Sequence, residues 1–177
     1  DEDITATISV SNAGSVIEDD AAVLIYDVKL SNAIDATSVT TTLTLGGGAT
    51  TGADYNSTLQ YSTDGGTTWT NLTGSTISLP GNGDIVKVKV SVKDDALTET
   101  SETVTLTATT NNAKVTNGIV GDTGTGTITE DTTGTIDEDI TATISVSDAS
   151  SEPESDSAEL IYDVKLSNAI DATSVTT

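Results

Sequence analysis

The 177-residue chain has no Cys, His, Met or Phe, its basic residues are all Lys, and only 3% of it is aromatic. Without imidazole or thiol there can be no conventional zinc centre, histidine acid–base pair, cysteine nucleophile or disulfide. Most enzyme designs are thereby excluded, and the expectation is a protein that is not an enzyme. Positive charge is equally scarce, with 6 Lys+Arg against 28 Asp+Glu and a formal net charge of -22. Such a surface repels phosphate backbones and anionic headgroups, and no Arg is present to clamp a phosphate, so nucleic acid is not an expected partner. Apolar runs never approach the length of a membrane span and no basic-then-apolar leader opens the chain, so membrane insertion is not expected either. The expectation is a soluble internal portion of a longer polypeptide, with any secretion address elsewhere.

What remains is rich in strand formers. The hydrophobic fraction of 34% is enough for a core. Roughly one residue in five is Thr, and with Val and Ile this favours pleated backbone, on which branched side chains fit well. The chain reads as all-β.

Self-comparison supplies the organisation. Asp1 to Val10 (DEDITATISV) returns as Asp137 to Val146, a period of 137 − 1 = 136 residues, and of the 41 positions that can be compared (1–41 against 137–177) seven differ. Solenoid repeats are typically ~20 to 50 residues, so each repeat here is a domain in a tandem array. The expected division is a complete sandwich repeat at 1–136, with a linker at about 130–138, followed by the N-terminal third of the next repeat at 137–177.

Apolar–polar alternation marks strands at about 4–10, 22–31, 38–45, 58–62, 67–72, 75–79, 85–93, 102–110 and 123–129, with no helix among them. Val86, Val88, Val90 and Val92 should face a core while Lys87, Lys89 and Lys93 face water, and Val104, Leu106 and Ala108 should follow the same rule. Between the two copies Val16-Ile17 become Glu152-Pro153 and Val23 becomes Glu159, whereas Leu24, Tyr26, Val28 and Leu30 recur as Leu160, Tyr162, Val164 and Leu166. The recurring set is therefore the inward one. Turn signals at Gly46-Gly47-Gly48, Asp64-Gly65-Gly66, Pro80-Gly81-Asn82-Gly83 and Asn117-Gly118 separate the strands and suit an antiparallel, immunoglobulin-like β-sandwich.

Acidic residues gather at Asp1-Glu2-Asp3, Glu18-Asp19-Asp20, Asp94-Asp95 with Glu99 and Glu102, Glu130-Asp131, and Asp137-Glu138-Asp139. Taken singly, each reads equally well as a solvated turn that aids solubility. Taken together, several acidic turns at strand ends offer the hard oxygen ligands that Ca²⁺ requires, whereas Mg²⁺ prefers a small octahedral shell and retains water.

Thr50-Thr51-Gly52-Ala53-Asp54-Tyr55, the run from Val86 to Val104 that carries Asp94, Asp95, Glu99 and Glu102, and the closing Gly124-Thr125-Gly126-Thr127-Ile128-Thr129-Glu130-Asp131 together resemble the Calx-beta domain pattern. The resemblance covers most of residues 4–131. It implies a seven-stranded immunoglobulin-like sandwich that binds Ca²⁺ at one pole, and by position it implies Glu18, Asp54, Asp94, Asp95, Glu99, Glu102, Glu130 and Asp131 as ligands. Two departures imply fewer ions than the richest family members hold: two tail acids stand where three Asp are common, and Ala96 occupies a place that is often acidic. Residues 59–72, with Tyr61, Asp64-Gly65-Gly66 and Trp69, resemble a hairpin added in repeats of large bacterial surface adhesins, including those with repeats-in-toxin C-termini.

The leading expectation is a calcium-stiffened structural extender of an extracellular bacterial adhesin, at the cell surface, serving adhesion or biofilm formation. Its partners would be neighbouring repeats of the same polypeptide, with strand exchange through 137–177. At the joint, Asp137 and Asp139 would share an ion with the preceding acidic tail. Two other readings compete: a carbohydrate-binding module using the Tyr61/Trp69 hairpin, and a regulatory calcium-sensing Calx-beta domain. Thr-x-Thr runs suggest an ice-binding face, but strand propensity alone accounts for them. An acid-pair glycosidase lacks an evident cleft.

Overall fold

The computed structural model describes residues 4–94, 99–130, 142–149, 151–155 and 157–167. The chain forms two compact units, the first holding strands β1 to β10 and the second β11 and β12.

In the first unit the alternating segments become strands close to where the pattern places them: β1 (Ile8–Val10), β3 (Val23–Leu30), β4 (Ser38–Gly47), β5 (Gln60–Ser62), β6 (Thr70–Asn71), β7 (Thr76–Pro80), β8 (Val86–Ser91), β9 (Glu102–Thr109) and β10 (Asp122–Thr129). A further strand, β2 (Gly14–Ile17), was not anticipated. Its sequence Gly-Ser-Val-Ile has no alternation, and its partner is β10, paired in parallel with Gly126 opposite Gly14, a separation of 126 − 14 = 112 residues. All other strand pairs in this unit are antiparallel.

Two five-stranded sheets result, in the orders β1-β3-β8-β5-β6 and β2-β10-β9-β4-β7. The first stretch of chain thus serves both sheets: Ser11 N–H still donates to Asp27 C=O of the first, and Ala13 N–H already donates to Thr125 C=O of the second. The resemblance implies seven strands. Ten are present because the first is split into β1 and β2 and the 59–72 insertion adds β5 and β6, and 10 − 1 − 2 = 7.

The inner faces are the ones that alternation selects. Leu24, Tyr26 and Val28 on β3, Val86, Val88 and Val90 on β8, and Val104, Leu106 and Ala108 on β9 are fully buried. The strand β10 contributes little bulk to this core, since its inward positions are Gly124, Gly126 and Ile128. A Cβ built on Gly126 would lie 2.8 Å from both Leu24 methyls and from the Tyr26 hydroxyl, and one on Gly124 would lie 2.0 Å from the Ser11 carbonyl oxygen. These glycines let the two sheets close on each other. A buried hydrogen bond ties them at the same level, with Tyr26 Oη on β3 donating to Val104 C=O on β9 at 2.8 Å. Burial pushes the Tyr26 phenol up to about 12, since the charged form cannot be hydrated there.

The second unit repeats the first hairpin in sequence and register. In β11 (Ile144–Val146) and β12 (Val164–Leu166), Ile144 faces Leu166 and Val146 faces Val164, as Ile8 faces Leu30 and Val10 faces Val28. The linker expected at about 130–138 lies, apart from Glu130, outside the described residues.

Candidate metal centre

Strand register carries acidic side chains of the first unit to one pole. In the β2–β10–β9 sheet, Ile128 lies opposite Glu102 and Thr129 opposite Ile17, so β2 and β10 end where β9 begins. Glu18 follows β2 directly and is fixed by its own N–H, which donates to Thr129 C=O at 2.8 Å. Glu130 follows β10. The last residues of β4 arrive at the same end, with Gly47 opposite Val104, and Ala49 N–H donates to Thr103 C=O. From there the chain enters the Thr50–Tyr55 turn.

That turn is built around Asp54, which is 2% exposed. Its carboxylate accepts from Thr50 N–H, closing the loop on itself. Its carbonyl accepts from Lys93 N–H at 2.9 Å, Asn56 N–H donates to Ser91 C=O, and Tyr55 bridges to Val92. Lys93 Nζ donates to Gly52 C=O. The Asp-Tyr turn is therefore pinned to the exit of β8, where the chain runs into Asp94. Asp94 in turn donates its N–H to Asp20 Oδ1 at 3.2 Å, and Val92 N–H donates to Ala22 C=O.

The outcome is a convergence of oxygens. Asp54, Glu99 and Glu102 each offer a carboxylate oxygen within 4.8 Å of the others. Glu18 Oε1, Glu102 Oε2 and Glu130 Oε1 are all shielded from water. Carboxylate oxygens removed from solvent are costly without compensating positive charge. The donor set suits calcium, because it is all hard oxygen and a span of 4.8 Å is within the ~5 Å separating opposed ligands of an ion bound at 2.3 to 2.6 Å.

Of the ten residues expected from sequence, Asp54, Glu99 and Glu102 are brought together as one group, and strand register and hydrogen bonding set Glu18, Asp94 and Glu130 at the strand ends around the Asp-Tyr turn. Asp95, Asp131, Asp137 and Asp139 lie outside the described residues. Asp20, not chosen among the candidates, is placed by its carboxylate against Asp94. Its signal was present in the Glu18-Asp19-Asp20 triplet, but strand pairing alone decides which member turns toward β8.

The 59–72 hairpin has a different character. Asp64 is a loop organiser: its carboxylate accepts from Thr68 Oγ1 at 2.6 Å, Ser62 Oγ at 2.7 Å, Thr68 N–H at 2.9 Å and Thr67 N–H at 3.0 Å. These bonds, led by the Thr68 hydroxyl, hold it well below the usual carboxylate range. Lys89 Nζ sits 4.6 Å from the Trp69 ring centre, so one face of the indole is covered by the protein's own cation. This counts against an open aromatic platform for sugar.

No protein-family model matches the chain, and no curated protein matches its sequence. Among solved structures, the apo form of the Calx CBD1 domain has a TM-score of 0.47 at 16% identity, covering 71% of this chain and 98% of that one. The calcium-binding domain CBD12 of CALX1.1 has a TM-score of 0.46 at 14% identity, covering 70% of this chain. The chain spans 44% of the length of that structure. An adhesin of enterotoxigenic E. coli, CfaE, has a TM-score of 0.41 at 13% identity, covering 72% of this chain and 49% of that one. Scores below 0.5 do not establish a shared topology, and the reading of the site rests on its carboxylate geometry.

Proposed function

We propose that the first unit is a calcium-binding β-sandwich of Calx-beta type, repeated in tandem as an extracellular extender of a bacterial adhesin. The observation that carries the metal reading is the grouping of Asp54, Glu99 and Glu102 oxygens within 4.8 Å. Glu18, Asp20, Asp94 and Glu130 would complete the shell or hold a second ion. Calcium would supply the positive charge that this pole lacks, since six Lys+Arg face 28 Asp+Glu over the whole chain. The residues themselves do the positioning: β-strand register sets Glu18, Glu102 and Glu130, and the Asp54 turn is held by the backbone of β8. The 136-residue near-identical repeat supports the extender role, because an array of equivalent sites suits reach and stiffness better than graded sensing.

The test is a calorimetric calcium titration together with melting curves in calcium and in chelator. Carboxylates that repel one another in the empty site should bind the ion only in the folded state, so calcium at 100 times its dissociation constant adds ~2.7 kcal/mol per site. A melting temperature that does not change between millimolar calcium and chelator rejects the metal reading.

A further inference from the structure

The hairpin of the second unit carries the same apolar side chains as its counterpart in the first, in the same register, in an opposite environment. Leu24, Tyr26 and Val28 are 0% exposed, whereas Leu160, Tyr162 and Val164 are 58%, 54% and 60% exposed. Ile8 and Val10 are buried, while Ile144 and Val146 are half exposed or more. In the first unit the far edge of β3 is taken by β8, with Tyr26 opposite Val88, Val28 opposite Val86 and Asp27 opposite Lys87. Lys87 Nζ and Asp27 Oδ1 are 2.7 Å apart there. In the second unit the sheet is β11-β12 alone.

Charge narrows what can add to that edge. Asp163 stands where Asp27 stands in the first hairpin, and Glu159 replaces Val23, whose partner Ser91 lies between Lys89 and Lys93 in sequence. The edge has thus kept one acid and gained another along the flank that meets a lysine-bearing strand in the first unit.

We propose that the edge of β12 is a strand-docking site, and that its occupant is an incoming antiparallel strand alternating branched apolar residues with lysine, like Val86–Ser91, with a lysine opposite Asp163. The main chain would supply affinity. Alternate side chains would supply register, the valines covering Tyr162 and Val164 and the lysines meeting Asp163 and Glu159. An incoming strand of this kind leaves the metal-binding pole of the first unit untouched, so the proposal stands or falls apart from the calcium reading.

The experiment uses the full chain and a synthetic peptide of residues 84–93. Hydrogen exchange should slow across 160–166 when the peptide is added, in chelator as in calcium. A peptide with its lysines changed to glutamate should give no protection. Asp163→Lys should weaken binding of the lysine peptide about fivefold and restore some binding of the glutamate peptide. Unchanged exchange at 160–166, or equal protection by both peptides, overturns the proposal. So does a full chain that sediments as a dimer without peptide and with 160–166 already protected, since the hairpin would then be covered by a second copy.

Discussion

Asp64 and Glu102 are both acidic residues of the first unit, yet their surroundings assign them opposite work. Asp64 has its oxygens filled by Ser62, Thr67 and Thr68, which leaves it a structural anion whose depressed pKa stabilises the fold above the ordinary carboxylate range and is lost as pH falls below about 4. Asp64→Asn should therefore lower the melting temperature equally in calcium and in chelator, and its difference from the parent should shrink in acid. Glu102→Gln should do the reverse. It removes a ligand and a like-charge repulsion, so melting in chelator should be unchanged or higher while most of the ~2.7 kcal/mol increment in calcium disappears. Equal loss in both conditions would make Glu102 a packing residue. Tyr26 sets an alkaline limit. Its pKa, pushed up to about 12, means that the folded state favours the neutral phenol, so its contribution is complete below the unfolded value near 10 and fades as pH rises from 10 to 12. Tyr26→Phe should cost about 1 to 3 kcal/mol at neutral pH, because Val104 C=O loses a buried donor, and should flatten the alkaline decline. Urea unfolding from pH 7 to 11 measures both effects.

At the scale of elements, alternation was an accurate guide wherever one strand face is buried. The run Val86 to Val92 and the set Leu24, Tyr26, Val28 and Leu30 face inward as their period requires. The same rule was silent on β2, because a short strand with a wet face and a parallel partner 112 residues away leaves no local trace. Alternation also ranked β10 by its threonines, whereas the structural weight falls on the residues between them. Gly126→Ala should cost about 1 to 3 kcal/mol by forcing Leu24 and Tyr26 aside. Gly124→Ala should cost more, since it meets the Ser11 main chain, which has no rotamer to adopt. Thr125→Ala, between them on the outer face, should change stability by less than about 0.5 kcal/mol. Denaturant midpoints of the three variants test this order, and a harmless Gly124→Ala would mean that the sheets can separate without loss.

For the whole molecule the consequences follow from the repeat. Calcium shared between the acidic tail of one repeat and Asp137 and Asp139 of the next would turn a proline-free joint into a fixed one. Small-angle scattering from chains of increasing repeat number should then show a maximum dimension that grows almost linearly in calcium, and shrinks or spreads in chelator while each sandwich stays folded. Equal flexibility in both conditions would confine calcium to the interior of each repeat. What the sequence determined by itself is periodic or compositional: the 136-residue spacing, the strand faces, and a donor set of hard oxygens with no competing imidazole or thiolate. Which carboxylates meet was left to the tertiary structure, because Asp54 reaches Glu99, 99 − 54 = 45 residues later, only through the pairing of the Asp-Tyr turn with the end of β8. Burial was left to it as well. Nearly identical hairpins hide their apolar face in one unit and expose it in the other, since a strand's environment is set by the strands that pair with it, and those come from distant parts of the chain.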